Sequence, residues 1–278
     1  MAYVALAAIQ GALVALPCPT ALERLRRLRS PLWTIVPPGA LLVGTFGVLA
    51  LPSLATGLAA LAAIATPAMA AIAVAAVVHG RRRCLLVLPA ALGAAAVLAS
   101  GWPGQLAASL VVALACLTLG AALASVTPGR WLRLGVFSMA AVDVLLLGAG
   151  VGQPSAALLN DAMADGPLPA FHHAELGTMS KDYPDLVLAA VVGGIVAGQP
   201  TQVRTAIVVG ILAAAYGGLF AVADMLPATV PTALVLALVE WGPVARSRPR
   251  RRRLRCAACK RRTPLSALPY PPPEPATA

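Results

Sequence analysis

The feature that most constrains this chain is a succession of long runs with no charge in them. Ser53–Val78 and Gln105–Ser125 contain no Asp, Glu, Lys or Arg. A helix of roughly 20 apolar residues crosses the hydrocarbon layer of a bilayer. In lipid the backbone must also satisfy its own hydrogen bonds, and a helix does so within one segment. Composition agrees with that reading. The chain is 59% hydrophobic and 11% charged, with a mean hydropathy of +0.84, whereas a soluble domain carries about 25% charged residues. The apolar mass is Ala, Leu, Val and Gly, small side chains that let helices approach closely in lipid. The expected fold class is an all-α polytopic membrane protein.

Taken in order, the apolar runs predict nine spans. They cover about 3–17, 33–51, 53–78, 84–100, 105–125, 134–150, 185–198, 205–223 and 226–245. Pro67 is the expected kink of the over-long third span. Residues 1–245 then form one membrane domain. Residues 246–278 form a basic, proline-rich cytoplasmic tail suited to anionic lipid headgroups. The distribution of charge tests the count. The loops after spans one, three, five and seven, together with the tail, hold 20 of the 21 Lys and Arg residues, and Lys181 is the exception. By the positive-inside rule the N-terminus is outside and the C-terminus cytoplasmic. The net charge of +11 therefore reports orientation, and nucleic acid is not an expected partner. Cys18, Cys84, Cys256 and Cys259 fall near the reducing side, so no disulfide framework is expected. Cys256-Ala-Ala-Cys259 has no second pair to complete a four-ligand zinc site, and neither metal nor cofactor is expected.

Two carboxylates stand out against this background. Asp143 sits within span six, in Ala140-Ala-Val-Asp-Val-Leu-Leu-Leu147, and Asp185 opens span seven, in Lys181-Asp-Tyr-Pro-Asp185. An ionisable group inside a span costs about 2.5–3.5 kcal/mol on insertion scales and marks a functional site by default. With the topology above, Asp143 is about 10 Å from the outer end of its helix at 1.5 Å per residue. Asp185 and the start of span nine, Leu226-Pro-Ala-Thr-Val-Pro231-Thr-Ala-Leu234, lie on the same side. Two adjacent carboxylates in a low-dielectric site share one proton. One can act as general base on a water, the other as acid on a carbonyl oxygen. Prolines at the start of span nine remove backbone donors and loosen the helix there, which offers a peptide an edge to pair with.

Nine spans, an aspartate in the sixth, an aspartate opening the seventh and prolines opening the ninth resemble the presenilin and signal-peptide-peptidase class of intramembrane aspartyl proteases. The chain would be a divergent, bacterial-type member in the cytoplasmic membrane. The resemblance implies peptide-bond hydrolysis within transmembrane segments by Asp143 and Asp185. It also implies a substrate-binding role, at the place of the family's Pro-Ala-Leu motif, for Pro227, Ala228, Thr229, Pro231, Ala233 and Leu234. The orientation resembles the signal-peptide-peptidase branch, whose substrates have a cytoplasmic N-terminus. Where the family has Gly-x-Gly-Asp this chain has Asp182-Tyr183-Pro184-Asp185, and Val142 precedes Asp143 where a Tyr is usual.

Simpler readings stand beside these. Asp185 alone reads as a helix N-cap, and the pair also suits a proton-coupled transporter or a proteolytically inactive scaffold with the same fold. Residues 151–184 read as an exoplasmic loop. Its Asp161 and Asp165 would be solvated, and its His172, His173 and Glu175 would be flexible and exposed rather than metal-binding. Gly194 and Gly198 form a GxxxG pattern expected to bring helices close. Glu240 is expected to reach the interface or pair with the basic tail.

Overall fold

The computed structural model describes residues 2–19, 21–78, 87–164, 171, 173–177, 179–219, 226, 227 and 229–241. The basic run at 79–83, Cys84, Asp165, His172, Asp224, Ala228 and the tail with Cys256 and Cys259 lie outside the described residues. The elements run α1 (Ala2–Ala15), α2 (Val36–Ala50), α3 (Ser53–Ile72), α4 (Val87–Leu98), α5 (Trp102–Val126), α6 (Gly129–Gly148), α7 (Gly152–Ala164), β1 (His173–Leu176), β2 (Met179–Asp182), α8 (Tyr183–Val196), α9 (Gln202–Gly218) and α10 (Val230–Trp241). A 3-10 turn at Pro31–Ile35 leads into α2, and a π turn at Ala73–Val77 ends α3. Pro67 lies inside α3, and the helix runs through it.

Among the described residues four helical stretches are long and apolar enough to cross a membrane: Pro31–Ala50, Ser53–Val77, Trp102–Val126 and Gly129–Gly148. The expected spans one, four, seven, eight and nine coincide with shorter apolar helices of 10–17 residues. The chain is thus a helical membrane protein, and helix length alone supports four crossings rather than nine. Its surface is inverted relative to a soluble protein. Val43, Ile64, Leu98 and Leu145 are each at least 70% exposed, as side chains bathed in acyl chains would be.

The centre of the fold is α5, packed against α3, α4, α8 and β1. Val111, Val112, Ala115, Cys116 and Leu117 have no exposed surface. Glycine sets how close α8 comes to its neighbours. A Cβ on Gly193 would lie 2.5 Å from the Leu13 carbonyl oxygen of α1, and one on Gly120 of α5 would lie 2.5 Å from Cβ of Ala190. A Cβ on Gly194 would lie at the same 2.5 Å from Cβ of Ala124 of α5. Gly198 does a different job. At φ +73° it turns the chain off the end of α8 beside Pro19, a conformation that disfavours other residues.

Two expectations about the polar segment after span six are corrected. Residues 151–184 hold a helix and an antiparallel hairpin whose register pairs His173 with Asp182 and Leu176 with Met179. His173 and Glu175 lie on a half-buried strand, because Ala174 and Leu176 alternate with them and are fully buried. Glu240 pairs with Arg133 in the second turn of α6, at 2.8 Å, and this pair ties the end of α10 to the start of α6.

The glycine contacts give a paired prediction. Gly193→Val forces its side chain into the α1 backbone and lowers the thermal midpoint of the detergent-solubilised protein, with an overpacking cost of about 1–3 kcal/mol. Gly57→Ala, on an exposed face of α3 with nothing within 4 Å of its Cβ, leaves the midpoint unchanged or raises it slightly.

Candidate active site

Asp185 is the third residue of α8 and is 5% exposed. The N-cap is Asp182, whose side chain makes no cap bond, so Asp185 is not the helix cap that its position suggested. The start of α8 is fixed from three directions. Tyr183 Oη lies 2.9 Å from Thr66 Oγ1 of α3, and the Cys116 thiol of α5 donates to the Tyr183 carbonyl. The third hold is the hairpin, which α5 pins through two polar side chains. Ser109 Oγ accepts from the Glu175 amide at 2.9 Å and donates to the Glu175 carbonyl at 3.0 Å. Gln105 donates to the Glu175 carboxylate and accepts from the Gly177 amide. Backbone polar groups withdrawn from water need such partners, and Gln105 and Ser109 supply them.

Asp143 sits near the end of α6 and is half-buried. Its Oδ2 accepts from Thr229 Oγ1 at 2.7 Å and from the Thr229 amide at 3.4 Å. Met139 and Ala140, one turn before Asp143, share an apolar cluster with Leu188, one turn after Asp185. Each carboxylate thus lies about one helical turn, ~5 Å, from residues of that cluster. Lys181, Asp182 and Asp143 are the charged groups that bear on Asp185. Tyr216 of α9 feels both Asp143 and Asp185.

The residues at the start of span nine divide. Thr229 is fully buried on Asp143, and Ala233 packs in the apolar cluster with Val191 and Val192. Pro231 is buried, and Pro227 is half-buried ahead of the helix. Leu234 is 51% exposed and faces away. Below the pair, an apolar crevice is lined by Leu132, Val136, Met139, Val187, Leu188 and Val191. Among the described residues no group of three His, Cys, Asp or Glu side chains is arranged to hold a metal, and His173 instead contacts Glu175 at 3.2 Å.

Sequence reasoning missed Lys181 as a site residue. It is 6% exposed, on the inner face of β2 opposite Ala174, and its ammonium makes no hydrogen bond among the described residues. The available signal was its isolation, as the one basic residue outside the inward-facing loops and tail. Tyr216 carried no such signal, because a lone Tyr in an apolar run reads as packing. No protein-family model, curated protein or solved structure matches the chain.

Ser109 gives the test of how the site is held. Ser109→Ala strips both backbone groups of Glu175 of their partner, at a cost of about 1–3 kcal/mol for buried groups left unmade. Amide hydrogen exchange accelerates across 173–182, while the middle of α5 keeps its protection.

Proposed function

We propose that this chain is an intramembrane aspartyl protease of presenilin-like architecture, with nine apolar helices embedded in the cytoplasmic membrane, its N-terminus outside and its C-terminus cytoplasmic. The observation that carries the reading is the placement of Asp143 on α6 and Asp185 on α8, each about one turn from an apolar cluster that the two helices share. One carboxylate takes a proton from a water. The water oxygen bonds to the scissile carbonyl carbon, and the other carboxyl gives its proton to the carbonyl oxygen. In the resulting gem-diol the first carboxyl returns its proton to the amide nitrogen. The C–N bond breaks, and a diol proton passes back to the second carboxylate. Neither metal nor cofactor takes part in this sequence.

The hairpin supports a peptide substrate. Leu176 and Met179 flank its two-residue turn, so the next pair, Glu175 and Ser180, turns its backbone groups outward. On the β1 side Ser109 occupies them. On the β2 side Ser180 is exposed, and no third strand is present among the described residues. An extended peptide adding to that edge would run past Asp182 toward Asp185. The basic tail suits anionic lipid.

Purified protein in liposomes is expected to cleave a generic transmembrane peptide. Asp143→Asn and Asp185→Asn each lower the rate by at least ~1,000-fold, because the two carboxyls act as a unit. Wild-type-like cleavage by either variant would exclude the mechanism. Proton-gradient-driven uptake lost in the same variants, with no cleavage, would instead establish a transporter. An intact fold with neither activity would mark an inactive scaffold.

A further inference from the structure

The end of the bundle away from Asp185, where α1, α5 and α8 finish, holds a cavity of about 220 Å³. Its walls are Ala121 and Ser125 of α5, Gly194 and Ala197 at the end of α8, and Cys18 and Arg26 of the segment after α1. Alanine and glycine leave the space because no larger side chain grows into it. Its volume is that of about seven waters at ~30 Å³ each, so a small polar group fits.

Bare carbonyls at helix ends would repel an anion here, but these ends are covered. Gln202 Nε2 reaches the carbonyls of Val14, Ala15 and Pro17 at 3.0–3.2 Å. The Ser30 amide donates to the Val126 carbonyl at the end of α5, and the Gln199 amide to the Val196 carbonyl at the end of α8. Ser125 Oγ shares its proton between the carbonyls of Ala121 and Ala21, at 2.8 and 3.2 Å. Arg26 is then the charged side chain on the cavity wall. It belongs to a 3-10 turn, Glu23–Leu28, that also carries Arg24 and Arg27, with Arg29 next in the chain. All four arginines are exposed. Glu23 lies 3.6 Å from Arg26 with both side chains in solvent, and a pair of that kind is weak. The chain reverses at Leu22, whose φ of +52° is in the left-handed region that a branched side chain rarely adopts. The residues on either side of that reversal, Ala21 and Arg26, both face the cavity.

Arginine is well matched to phosphate oxygens, which it can hold with two parallel hydrogen bonds. Just past the arginines the surface turns apolar. Leu28, Leu32 and Ile35 are each at least 60% exposed, and Trp33 donates from Nε1 to the Leu28 carbonyl, a ring placed as at a membrane interface. A soluble phosphate would use the arginines and leave these apolar side chains unmatched, whereas a phospholipid uses both. A choline headgroup would bring its own cation against Arg26.

We propose that this cavity and the turn beside it bind one anionic phospholipid, with its phosphate on Arg26, an uncharged hydroxylated headgroup in the cavity and its acyl chains along Leu28, Leu32 and Ile35. In the orientation proposed above, the lipid sits in the cytoplasmic leaflet. The site is independent of what Asp143 and Asp185 do. Native mass spectrometry of the full chain in detergent, titrated with phosphatidylglycerol or phosphatidylcholine, tests it. Phosphatidylglycerol binds at least ~10-fold more tightly, and Arg26→Gln removes about tenfold of its affinity, as loss of a charge-assisted hydrogen bond implies. Arg204→Gln takes an exposed arginine from the same end but off the cavity wall, and leaves the affinity unchanged. Ala197→Leu fills the cavity without altering charge and weakens phosphatidylglycerol alone. Equal affinity for the two lipids, or equal losses in Arg26→Gln and Arg204→Gln, overturns the proposal, because charge then acts only diffusely. Full affinity in Ala197→Leu overturns the placement of the headgroup. Displacement of the lipid by an equal concentration of glycerol 3-phosphate overturns the lipid as occupant and marks a site for a soluble anion.

Discussion

Everything at the site depends on how closely α8 is clasped between α1 and α5. Gly193 lets the α1 backbone reach α8, and Gly120 and Gly194 do the same for α5. Lipid offers no hydrophobic force to press helices together, so close van der Waals packing of small residues takes its place. Once α8 is seated, Asp185 has little choice of position. Its helix begins against Thr66 and Cys116, and the hairpin ahead of it is stitched to α5. A carboxylate that would otherwise turn toward headgroups is thereby kept inside the protein.

The two aspartates are chemically unequal although their side chains are identical. Asp143 has two donors on one oxygen and partial access to solvent. Asp185 is buried beside an ammonium that does not touch it closely enough to form an ion pair. The two side chains are thus held by different means, Asp143 by hydrogen bonds and Asp185 by burial.

Much of this was legible in the sequence. The membrane class followed from uncharged runs that no soluble core would need, and the positions of the apolar helices followed from the same runs. Asp143 and Asp185 were conspicuous because a charge in lipid is costly. The hairpin was not legible, because its two strands are four residues each and carry only two turns of alternation, Ala174 and Leu176, inside a polar segment. Nor were the Arg133–Glu240 pair and the burial of Lys181, since burial of a long basic side chain is a tertiary property that local composition does not carry. The runs also misplace helix ends. α1 stops at Ala15, before Pro17, and α8 stops at Val196, before Gly198, because Pro and Gly are apolar enough to extend a hydropathy window yet end helices.

Helices α6 and α10 are joined twice, by Arg133 with Glu240 at one end and by Asp143 with Thr229 at the other. Two widely separated ties make the pair a single stiff plate, unable to shear or roll internally. No comparable polar tie links α6 to α8 among the described residues, where the contact is apolar. A bilayer that thins or thickens changes helix tilt, and the plate must tilt as one piece while α8 stays with α1 and α5. The seam between plate and α8 is where that strain is taken up, and Asp143 and Asp185 sit on its two sides, one on α6 and one on α8. The gap between the two carboxyls is consequently a mechanical variable, set in part by the membrane that surrounds the protein.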